Sequence, residues 1–165
     1  MFKPIRWGLM AAGLLAVVML AARAEPTHQH AMHEQHEGDA QATDNRTLVT
    51  LPQQMRIHTL ANMRDHLLSL QEIQTALAEG RFDEAGEIAE QRLGMTSLEL
   101  HGAHEVGQFM PEKMRQLGTD MHRAASRFAV VAKDAGVEDD VRPALAALSR
   151  VTQSCVACHS TFRYQ

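Results

Sequence analysis

The sequence predicts an all-α protein, an antiparallel four-helix bundle, and three observations lead there. From Leu51 onward, apolar residues recur at three- and four-residue steps in four successive segments, the spacing that gathers side chains on one face of a helix. The segments are joined by short connections marked by glycine or proline, so neighbouring helices should run antiparallel. Neither a run of alternating β-branched residues nor an Asn-Gly turn supplies a strand signal,.

The first segment places Met63, Leu67, Leu70, Ile73 and Leu77 on one stripe. Pro52 suits its first turn and Gly80 its end. The second begins near Asp83 and carries Ala85, Ile88, Ala89 and Leu93; Gly94, Gly102 and Gly107 then interrupt, so 94–110 reads as helix broken by turns. Pro111 opens the third segment, with Met114, Leu117, Met121, Ala125, Phe128, Ala132 and Ala135 on one stripe and Gly136 as its natural stop. Asp139 or Asp140 can cap the fourth, which tolerates Pro143 in its first turn. That helix aligns Val141, Leu145, Leu148, Thr152, Cys155, His159 and Phe162.

Residues 1–24 read as a signal peptide. Lys3 and Arg6 precede an apolar run from Trp7 to Ala22, and Ala22-Arg23-Ala24 fits a small-x-small cleavage site,. The rival, an uncleaved anchor, is disfavoured because the run is short for a span. Cleavage predicts an exported, periplasmic protein with no integral membrane span. It also moves the formal charge from −4 to −7, leaving 13 basic against 20 acidic residues. So acidic and aromatic-poor a chain is unsuited to nucleic acid. Residues 25–50 are polar and without helical or strand periodicity, the pattern of a flexible tether ahead of a domain at 51–165. His28, His30, His33 and His36 in that tether can hold copper, zinc or nickel loosely, or simply belong to a solvated linker.

The chemistry concentrates at the carboxyl end. The chain's two cysteines stand in Cys155-Val156-Ala157-Cys158-His159, the pattern of c-type haem attachment. On a helix, residues three and four apart share a face, so both thiols can reach one porphyrin and His159 can present its imidazole to the iron. Export, which covalent attachment needs, is predicted independently. A zinc site lacks a second cysteine pair, a thioredoxin-like pair lacks its strand-helix-strand setting, and a disulfide this tight would close almost no loop. From Leu51 onward no Glu-x-x-His pair supports a di-iron centre,.

Only Ser160 to Gln165 follow the motif, so a second axial ligand must come from upstream. Attachment near the end of the last helix, as Cys-x-x-Cys-His-x-x-Phe-Arg, resembles the cytochrome c′ family and its low-spin, methionine-ligated relatives. The resemblance covers residues 51–165, with only this terminal block specific. It implies one covalent haem c whose far side faces the first helix. It implies Met63, seventeen residues before Gly80, as the opposite ligand, and Arg163 near the haem edge. Core filler is the ordinary role of such a methionine, and a solvated terminal arginine is the ordinary reading of Arg163. His66, one turn further along, is the alternative iron ligand; Met55 lies too near the helix start.

The function so implied is electron transfer with redox partner proteins, by a protein that is not an enzyme and that could pair as a homodimer. Two alternatives stand beside it: a five-coordinate haem protein binding nitric oxide or carbon monoxide, and a metal-handling protein acting through the His-rich tether. His101 and His104 read as ordinary partly exposed histidines rather than a surface metal site. His58 and His122 carry no signal beyond composition.

Overall fold

A computed structural model describes residues 44–165. The signal-peptide expectation and most of the expected tether, including its four histidines, lie outside the described residues. The described chain is mostly helical: α1 (Gln53–Ala78), α2 (Phe82–Arg92), a 3-10 turn (Met95–Ser97), α3 (Ala103–Gly107), α4 (Glu112–Glu138) and α5 (Val141–Thr161). No helix among the described residues is long and apolar enough to cross a membrane.

The helix ends follow local chemistry. Pro52, in extended conformation, precedes α1 and accepts the first helical hydrogen bond, from Arg56 N–H at 2.9 Å. At the other end Gly80 adopts φ +72°. Its N–H reaches Leu77 O, and Arg81 N–H reaches Ala76 O, so the last carbonyls of α1 are satisfied by a left-handed cap that glycine adopts without strain. Asp140 caps α5, its carboxylate accepting from Arg142 N–H at 3.0 Å.

Gly136 does not stop α4. The helix runs on to Glu138 and ends in a left-handed Asp139 at φ 52°, with Asp140 N–H reaching back to Ala135 O. Gly136 serves packing instead: a Cβ there would lie 2.9 Å from Phe82 Cβ, and one at Gly86 would lie 2.9 Å from Ala129 O. Small residues on both helices let α2 and α4 approach closely.

α4 packs along α5, and α2 lies against both α4 and α1. Their shared core includes Ile73, Leu77, Phe82, Leu93, Phe128 and Val151. A second apolar cluster gathers Val49, Leu51, Val106, Met114 and Phe162. Two expected core positions are corrected here: Leu67 is 69% exposed and Leu145 50% exposed. On α5 Ala144 takes the inward place. On α1 the inward face is turned by about one position, through Thr59, Ser69, Ile73 and Ala76, so its amino-terminal half presents polar side chains inward.

The absence of strands was also incorrect at the margins. β1 (Thr47–Val49), within the stretch read as tether, pairs in parallel with β2 (Phe162–Tyr164), in register Thr47 with Phe162 and Val49 with Tyr164. Three-residue strands are too short to show a period of two. Their effect is to fasten the segment after the Cys-x-x-Cys-His block against the entry to α1.

Candidate functional site

Residues of both apolar clusters line a cavity of about 290 Å³ that is partly open to solvent. Its walls bring together the residues the sequence had singled out from opposite ends of the chain. Cys155, Cys158 and His159 come from α5, Met63 and His66 from α1, and all five line the cavity. The α-helical spacing of the motif puts both thiols on the inward side of α5: Cys155 packs against the main core and Cys158 against the second cluster. Both are free thiols, and burial pushes both up from the usual thiol range. His159 stands exposed at the edge, its backbone carbonyl accepting from Arg46 Nη1 at 3.2 Å.

Arg163 is not brought to this lining. It sits on β2 with Nε 3.4 Å from Asp44 Oδ2. Met55 packs with the second cluster and is likewise outside the lining. Much of the remaining wall is soft and apolar, with Met110, Met114, Met121, Leu117 and Val106. Unbranched thioether chains suit such a role because they fill irregular space.

Four buried side-chain polar atoms among the described residues have no hydrogen-bond partner, and three of their residues, Thr59, His66 and Tyr164, line this cavity. An unmet buried polar atom costs about 1–3 kcal/mol, and such costs gather where a bound group can relieve them. The donor set agrees with haem c: two thiols at Cys-x-x-Cys spacing, an adjoining imidazole, and a thioether and a second imidazole from another helix, around a largely apolar space. The residues present therefore fit the group.

Sequence reading missed one feature of the cavity. His66 from α1, His101 from the stretch before α3 and His122 from α4 form a cluster, with ring centroids 4.7, 5.4 and 6.2 Å apart. His101 and His122 are buried, at 8% and 7% exposure, which corrects the expectation of a partly exposed His101. His122 Nδ1 donates to Leu93 O at 2.7 Å, and Ser97 Oγ lies 3.4 Å from His101 Nδ1. Burial lowers all three, His66 to about 4, so the trio is uncharged at neutral pH. Beside it, Arg92 on α2 pairs with Asp65 and Glu72 on α1 and so fastens the two helices. Only the polar inward face of α1 could have hinted at the cluster, because the three histidines are far apart in sequence.

No family model, no curated protein and no solved structure matches this chain.

Proposed function

We propose that this chain is an exported monohaem c-type cytochrome of the cytochrome c′ class that carries electrons in the periplasm. The observation that carries the reading is the meeting, on one cavity, of Cys155-Val156-Ala157-Cys158-His159 from α5 with Met63 from α1. On this reading α1, α2, α4 and α5 are the members of an antiparallel four-helix bundle.

Bound haem would supply a one-electron iron couple, and the chain's own residues would set its conditions. Cys155 and Cys158 anchor it, which fixes its position without relying on affinity. His159 from α5 and Met63 from α1 would hold the iron, a pairing that raises the reduction potential. Met110, Met114 and Met121 exclude water from the buried face. Bond-making is absent from this role, so the protein acts by ligand identity, burial and orientation.

The cavity also supports a second reading, a five-coordinate iron open to nitric oxide or carbon monoxide, because Met63 is only half-buried and His66 shares its lining. Optical spectra of the haem-loaded protein, with and without carbon monoxide, separate the two. Six-coordinate His/Met iron predicts sharp, split bands on reduction and no shift with carbon monoxide, with a carbon monoxide shift appearing in Met63→Ala. A wild-type protein that shifts at once with carbon monoxide would make the gas-binding reading the correct one.

A further inference from the structure

Covalent attachment of haem falls to Cys155 and Cys158, whereas the cluster brings the buried His101 and His122 together with the half-buried His66 on the cavity wall, from the stretch before α3, from α4 and from α1. We propose that these three histidines are the ligands of a second, non-haem metal site for a late first-row ion such as zinc or copper, its remaining position facing the cavity.

Geometry is the first support. With zinc–nitrogen bonds of ~2.0–2.1 Å and tetrahedral angles, three imidazole centroids lie ~5 Å apart; here they lie 4.7, 5.4 and 6.2 Å apart. As the side chains stand, no such trio among the described residues is drawn together enough to hold an ion. The longest separation, His66 to His122, is the one that must close, and His66 Nε2 is buried with no partner to lose on turning. His66 is half-buried and its side chain lines the cavity.

The second support is the order of the hydrogen bonds behind the rings. The Nδ1–H of His122 is committed to Leu93 O, and Ser97 Oγ, which itself donates to Gly94 O at 2.7 Å, lies beside His101 Nδ1. Backbone and hydroxyl partners on one ring nitrogen fix the tautomer and leave Nε2 as the lone pair, the usual arrangement behind metal-bound histidine. Asn62 Nδ2 donates to His101 O at 3.1 Å and ties that loop to α1. Charge is the third support. Asp65 stands near enough to His66 and His101 to favour a cation there, offset in part by Arg92, with which it pairs. Neutral imidazoles suit zinc, copper and nickel, with copper the tightest.

The test uses the full mature, haem-loaded protein and zinc as probe. To remove the tether's contribution, His28, His30, His33 and His36 are all changed to alanine. After dialysis against zinc, the proposal predicts one tightly held zinc per chain, with an X-ray absorption spectrum at the zinc edge fitted by three imidazole nitrogens. In the same background, His101→Ala and, separately, His122→Gln should weaken zinc by more than the roughly 10–100-fold that loss of an outer partner costs. Their helical circular dichroism should stay unchanged. No tightly held zinc in the tether variant, or zinc retained at full affinity in a folded His101→Ala or His122→Gln protein, would overturn the assignment.

Discussion

His66 and its neighbours give the protein a dependence on pH that belongs to individual side chains. Burial lowers His66 from 6.5 to about 4 and lowers His101 and His122 as well. In the unfolded chain each takes up a proton near its ordinary value, while the native protein refuses it until the solution is more acidic. The share due to His66 is therefore present above its ordinary 6.5 and lost as pH falls toward about 4, by up to about 1.4 kcal/mol per pH unit, and His101 and His122 act in the same direction,. Urea midpoints measured with a chelator present should fall between about pH 7 and about pH 5, and His66→Leu should flatten that fall. An equal slope in that variant would place the dependence elsewhere. The contrast with Cys155 and Cys158 is instructive. The motif that holds them was legible because it lies in five consecutive residues, whereas the histidine cluster is assembled only by the fold.

At the scale of the helices, the two residues that shape the end of α4 exchange the roles their identities suggest. Gly136 lies inside the helix because Phe82 crosses there, and Asp139 bears the left-handed turn that a glycine would adopt freely. Replacing an interior helical glycine by alanine ordinarily gains up to about 1 kcal/mol. Here Gly136→Ala should instead lose about 1–3 kcal/mol, since the added carbon cannot fit without moving α2 from α4. Asp139→Gly should raise stability by roughly 1 kcal/mol through relief of the left-handed strain. Denaturant titration of the two variants checks both signs. The helix boundaries were otherwise close to what proline, glycine and aspartate predict. The inward face of α1 was not, because its stripe of Met63, Leu67 and Leu70 competes with a neighbouring stripe whose polar residues face a cavity rather than a core. Periodicity of apolar residues finds the side of a helix that meets apolar partners, and half of α1 does not meet them.

In the molecule as a whole, two apolar clusters both contribute walls to the cavity. A covalently held haem filling that space would join them, so the haem-free protein should melt well below the haem-loaded one. Equal melting temperatures would mean that the cavity contributes nothing by being filled. The three-residue pairing of β1 with β2 holds Phe162 and Tyr164 in the second cluster.

The most direct measurement is the denatured mass of the protein matured in a periplasm equipped for haem attachment, compared with that of the Cys155→Ala, Cys158→Ala double variant. The account predicts a wild-type mass heavier than the processed polypeptide by one haem, with the addition absent from the variant. A wild-type chain at its bare polypeptide mass, or a variant that still carries covalent haem, would contradict it.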